Sequence, residues 1–140
     1  MLLSAQIMKL LKTQLTALGY SSWANLAPDE TSFPFVVYTV STMNLDLSFK
    51  ENYEYMRATL SVFSDDPSYT APIAIMNAIE TKFHRNQTLT IDAAVGTLIC
   101  IKKINEIQPI KATSNYNSNN DDFYSMGVIE FQFIAQRTQP

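Results

Sequence analysis

The sequence is poor in the residues that most catalytic and cofactor chemistry requires. It has one cysteine, Cys100, and one histidine, His84, so it can form neither an internal disulfide nor a Cys/His zinc site. Three glycines, Gly19, Gly96 and Gly127, supply no phosphate-cradling loop of either standard kind. Only 16% of the residues are charged, against a usual ~25%. The net charge is −3 and there is no basic tract, which gives a nucleic-acid groove little electrostatic support. Long apolar runs are also missing. Lys9 and Lys12 interrupt the apolar N-terminus, so it reads neither as a signal peptide nor as a membrane span. These absences predict a soluble protein made in a reducing cytoplasm, with no metal, no cofactor and no membrane. Low charge also leaves surface to spend on protein partners.

What is present suits one folded domain over residues 1–140. The chain is 46% apolar and long enough to bury roughly two thirds of its unfolded surface. It is organised around MRATLSVFSDDPSYTAPIAIMNAIETKF, from Met56 to Phe83. In the first part, Met56, Ala58, Leu60 and Val62 alternate with Arg57, Thr59 and Ser61, the two-residue period of a strand with one buried face. Tyr55 and Phe63 flank the second set. The turn SDDPS follows, with side chains that bond to nearby backbone and a proline of fixed φ. Pro72 then suits a first helical turn, Ser68 or Thr70 is a candidate N-cap, and Asp65 and Asp66 lie beside the positive helix end. Pro72, Ile75, Met76, Ile79 and Phe83 recur at three- and four-residue spacing and predict a helix that covers the sheet.

The remaining elements fall on either side. Residues 2–18 predict a first helix with Leu3, Ile7, Leu10, Leu11, Leu15 and Leu18 on one stripe and Gly19 just past its end. Such a helix can also lie on a membrane surface, but two lysines are a thin polar face for that. Residues 20–34 read as a connection with Trp23, Leu26 and Phe33 tucked beneath it, and the β-branched run from Phe35 to Ser41 as a strand. Residues 42–52 alternate Met43, Leu45, Leu47 and Phe49, the pattern of a strand extension or of a hairpin arm. Leu89 and Ile91 suggest a brief strand before Gly96. A longer strand is expected from Thr97 to about Ile107, with a bulge where Lys102 and Lys103 break its alternation. An Asn- and Ser-rich loop spans residues 112–122. The last strand runs from Tyr124 to Gln136, with Ile129, Phe131, Phe133 and Ala135 facing the core. The fold class is therefore α+β: a mostly antiparallel sheet of four to five strands with two helices on one face.

The chemical candidates are few. A nucleophilic site would pair Cys100 or a serine with His84, but Cys100 falls in an apolar run and reads as a small buried residue. Paired acids at Asp65/Asp66 and Asp121/Asp122 can be metal or acid–base groups; a turn cap and a solvated loop explain them more simply. Tyr53, Tyr55, Arg57 and Phe63 lie on the second face of the organising strand. Tyr and Arg are enriched in interface hot spots, so that face is either a subunit contact or is packed by the long loops.

Taken together, Phe33-Pro34-Phe35-Val36-Val37-Tyr38 after an amphipathic helix, ATLSVFSDDPSYTAPIAIMNAIETKF, and GVIEFQFIA after a polar loop resemble the tail-terminator and tail-completion family of bacteriophages, lambda tail-terminator-like proteins included. The resemblance covers most of the chain; the Asn-rich loop and the long arm at 42–52 depart from it in detail. It implies a structural virion protein, not an enzyme: a homo-oligomeric ring, usually hexameric, at the head-proximal end of the tail. Such a ring ends tail-tube growth and meets the head-side connector or stopper, while DNA passes its lumen without specific binding. On this reading Tyr53, Tyr55, Arg57 and Phe63 would lie between subunits. Leu45, Leu47, Phe49, Tyr116, Asp121 and Asp122 would touch neighbouring rings. Two alternatives stand beside it. One is another neck ring, a stopper or portal-adjacent connector that can be dodecameric; the other is a small α+β module holding an apolar ligand.

Overall fold

A computed structural model describes residues 2–28, 31–42, 53–112 and 124–138. The elements run α1 (Leu3–Ala17), β1 (Ser21–Ala24), β2 (Phe35–Thr42), β3 (Tyr53–Ser64), α2 (Thr70–Phe83), β4 (Gly96–Ala112) and β5 (Tyr124–Arg137). The strands form one sheet in the order β1-β2-β3-β5-β4, with β1 parallel to β2 and every other pair antiparallel. The fold is α+β, with α1 over β1 and β2 and α2 over β3, β5 and β4.

Period decides which side chains meet. On α1, Leu3, Ile7, Leu10, Leu11 and Leu15 are buried, one stripe of a 3.6-residue repeat. The helix stops where Gly19 takes a φ of 90°, its amide bonding to the Thr16 carbonyl and the Tyr20 amide to that of Leu15. This pair of bonds is the Schellman ending, which needs a left-handed residue at that position. Met56, Ala58, Leu60 and Val62 of β3 and Ile129, Phe131, Phe133 and Ala135 of β5 point to the same side and are buried beneath Ile75, Met76, Ile79 and Phe83 of α2. Phe83 closes the layer, its ring centroid 5.7 Å from that of Phe131 and 6.4 Å from that of Phe133.

The start of α2 is capped otherwise than expected. Neither Ser68 nor Thr70 is the cap. Tyr69 holds that position at a φ of 62°, and its side chain makes no capping bond. The Asp66 carboxylate reaches over it instead, accepting from the Ala71 amide at 2.9 Å, the Ser68 amide at 3.0 Å and the Ser68 hydroxyl at 2.8 Å. The Ala71 amide, then these Ser68 bonds, hold the Asp66 carboxyl below its ordinary value. A carboxyl lowered in the folded state stabilises above its unfolded value of ~3.9 and loses that contribution as pH falls through the folded value. Asp66→Asn is therefore expected to lower the Tm at pH 7 and to lower it by less at pH 3, below the unfolded value of ~3.9. Thermal unfolding at the two pH values checks this; an equal deficit at both would contradict it.

Other expectations need correction. Residues 20–34 include β1, so the short strand comes before β2, and Leu89 and Ile91 belong to no strand although both pack on the core. Trp23, Leu26 and Phe33 do not tuck beneath this connection; all three are exposed. Trp23 lies under the Lys12 ammonium, 5.3 Å from its ring centroid, and Phe33 stacks on other rings. β4 runs past Ile107 to Ala112 and carries three register irregularities where one bulge was expected. The first, between Leu98 and Cys100, reverses the phase of the strand. Leu98 faces the core opposite Ala135, Ile99 is the extra residue, and Cys100 pairs with Ile134 on the outer face, exposed rather than buried.

Candidate interface on the open sheet face

Among the described residues, one face of the sheet carries both helices and the other carries none. Tyr53, Tyr55, Arg57 and Phe63 all belong to this open face, being alternate residues of the central strand β3. They do not form one cluster. Tyr55 and Phe63 are eight residues apart on an extended strand, roughly 26 Å at 3.3 Å per residue, and so mark opposite ends of the face.

At the Phe63 end four rings associate. Phe35 pairs with Phe63 across β2 and β3, their centroids 5.0 Å apart. Phe33 stacks on Phe35 at 5.4 Å and on Tyr124 at 6.1 Å, and Tyr124 lies 6.5 Å from Phe63. The sequence reading missed Phe35 and Tyr124 as members of this group. Their signal was available only through strand pairing: register puts Phe35 opposite Phe63, and directly opposed aromatics on one face interact. Ile107 and Ile110, opposite Val128 and Met126, extend the apolar surface onto β4. The Tyr55 end carries Tyr53 with Ile134 and Cys100.

A polar centre separates the two ends. The Glu130 carboxylate on β5 accepts from the Thr59 hydroxyl at 3.0 Å and from the Asn105 amide at 2.8 Å, bridging β3 and β4. Arg57 Nε stands 3.8 Å from the same carboxylate, with the Arg57 side chain 47% exposed and that of Glu130 only 17%. Glu130 is thus satisfied within the sheet, while the guanidinium presents donors outward. Aromatic side chains and arginine, the residue types exposed on this face, are enriched in protein interfaces.

The sheet edges are less suited to partners. β1 has four residues. On β4, Pro109 lacks an amide hydrogen, and the strand is irregular and lysine-bearing at Lys102, Lys103 and Lys111, all devices that discourage edge pairing. The residues after α2 also cover part of it. The Arg85 amide donates to the Ile101 carbonyl at 2.8 Å and the Lys103 amide donates to His84 Nδ1 at 3.0 Å. Lys103 Nζ reaches Glu80 at 2.5 Å and Glu106 at 3.2 Å, and the bond to Glu80 foremost holds this ammonium above the ordinary lysine range. His84 is thus engaged with the backbone, and the expected role of Asp66 as a turn cap is met. Asp65 is exposed beside it. Leu45, Leu47, Phe49, Tyr116, Asp121 and Asp122 lie outside the described residues.

Among the described residues no group of three or more His, Cys, Asp and Glu is placed to hold a metal ion, and no helix is long and apolar enough to cross a membrane. Fold and surface together define an α+β domain with one helix-covered face and one open, aromatic-rich face. No protein-family model matches the chain, and no curated protein does. Among solved structures it is similar to a chain described as "Virion of native gene transfer agent (GTA) particle", with a TM-score of 0.64 at 14% identity, over 96% of this chain and 94% of that one. The shared property is the fold, from one end of the domain to the other.

Proposed function

We propose that this protein is a structural component of a phage-type virion, forming a homo-oligomeric ring at the head-proximal end of the tail. The ring ends growth of the tail tube and presents a surface to the head-side connector. The observation that carries this reading is the near end-to-end structural likeness to a chain of a gene transfer agent virion, in agreement with the sequence resemblance to tail-terminator proteins. Its action is mechanical and interfacial, without a catalytic step. The open sheet face supplies a subunit contact: Phe63, Phe35, Phe33 and Tyr124 at one end, Tyr53 and Tyr55 at the other, and Arg57 between them. Blunted edges support a face-on contact over growth of the sheet from subunit to subunit, and closed rings use such heterologous contacts. A net charge of −3 suits a lumen that lets DNA pass without retaining its phosphates.

Native mass spectrometry across a concentration series, with and without a tail-tube protein, tests this. A closed hexamer, formed alone or on the partner, is the expected result. A dodecamer would move the assignment to another neck ring, and a monomer or dimer under every condition, carrying a bound small molecule, would overturn both.

A further inference from the structure

The charges of the open face are unevenly satisfied. Register places Arg57, Gln132 and Lys102 in one row across β3, β5 and β4. With strands about 4.8 Å apart, the backbones of the two cations stand roughly 10 Å from each other. Lys102 is exposed and has no ion pair among the described residues. Arg57 has only its 3.8 Å approach to Glu130, a carboxylate already bonded by Thr59 and Asn105. The row is left positive.

Among the described residues one carboxylate is left over in the same way. Glu54 pairs with Arg137, Glu80 and Glu106 with Lys103, Asp92 accepts from the Ala94 amide, and Asp66 caps α2. Asp65 has no such partner and is exposed in the turn between β3 and α2. That turn is held around it. The Asp66 amide donates to the Ser64 hydroxyl at 3.1 Å, and the Asp66 carboxylate accepts from the Ser68 and Ala71 amides. A carboxylate on a fixed turn has little ordering left to lose in a contact. It cannot reach the row of its own chain, because β3 covers roughly 23 Å between Arg57 and Ser64.

We propose that the β3–α2 turn of one copy docks on the open sheet face of the next, with Asp65 set between Arg57 and Lys102. This rests on the ring reading and deepens it, by naming the part of the neighbour that the open face receives. Each copy offers one turn and one row on different parts of its surface, the head-to-tail arrangement that closes into a ring. Opposite charges fix the register of such a contact and steer the encounter.

The test is a charge exchange between two variants, Asp65→Lys and Arg57→Gln/Lys102→Glu. The first makes turn and row both positive; the second leaves both negative. Alone, each is expected to need at least about tenfold more protein than the parent to form the ring, since like charges then face each other. Mixed in equal amounts, they are expected to assemble at the parent's concentration into a ring with equal numbers of each, read from native masses. Thermal unfolding of each variant confirms its fold. In the unmodified protein, ring formation is expected to weaken as salt rises, and indifference to salt would overturn the charge pairing whether or not a variant folds. Variants that each assemble alone as the parent does overturn the contact and leave the proposed function standing. Folded variants that stay apart when mixed overturn the pairing of Asp65 with this row. A closed pair with one copy of each overturns the head-to-tail arrangement. No ring of the parent under any condition of the mass measurement overturns both readings.

Discussion

Replacing Phe83 by alanine is expected to lower folding stability by about 3–5 kcal/mol, the usual range for truncating a fully buried phenylalanine. Phe83 is the last residue of α2 and is fully buried, packed between the rings of Phe131 and Phe133 on β5. Its ring therefore ties the helix layer to the central part of the sheet, and its loss opens a cavity that neighbours on a regular helix and a paired strand cannot fill. Against a total stability of roughly 5–15 kcal/mol, such a change threatens the fold. Urea unfolding of Phe83→Ala beside Ile99→Ala gives the comparison, since Ile99 is 49% exposed at a bulge and its truncation removes little buried surface. Similar losses for the two variants would mean that α2 does not close the core.

The second large effect falls on assembly. A Tyr55→Ala/Arg57→Ala double variant is expected to fold as the parent does and to lose the proposed ring. Arg57 is exposed and its 3.8 Å approach to Glu130 is a loose surface pair, worth at most about 1 kcal/mol. Glu130 keeps its bonds from Thr59 and Asn105 when Arg57 is removed. At an interface the same residue types are worth about 2 kcal/mol or more each when truncated, roughly thirtyfold in affinity per contact. Thermal unfolding and native mass on one sample separate the two effects. A double variant with unchanged Tm and an intact ring would remove the open face from the subunit contact.

How much of this was legible in the sequence varied with the kind of signal. Both helices and the three long antiparallel strands showed through because their burial is one-sided: the stripe from Pro72 to Phe83 and the alternation from Met56 to Val62 are the buried sets of α2 and β3. β1 was hidden. Ser21, Ser22 and Ala24 have little strand propensity, only Ser22 is buried, and a parallel partner leaves no tight-turn signature. The last turn of β4 was lost because Pro109 reads as a breaker, whereas an edge strand tolerates a missing amide hydrogen. Cys100 was misplaced by a phase reversal that a single inserted residue produces and composition does not reveal. Asp66 did the work assigned to Ser68 or Thr70 because Tyr69 turns left-handed, bringing a more distant carboxylate onto the helix end.

The candidate interface was half visible for the same reason. Tyr53, Tyr55, Arg57 and Phe63 share one strand, so period alone puts them on one face. Phe35, Phe33 and Tyr124 join Phe63 from separate parts of the chain, through the pairing of β3 with β2 and β5. Sheet order sets that grouping, and no local pattern encodes it.

The central claim, that this chain stops a tail tube, is tested most directly by electron microscopy of tail-tube protein polymerising with and without it. The account predicts tubes that stop elongating on its addition and carry a ring of extra density at one end only. Tubes that lengthen at the same rate, with bare ends, in the presence of a fully assembled ring would contradict it.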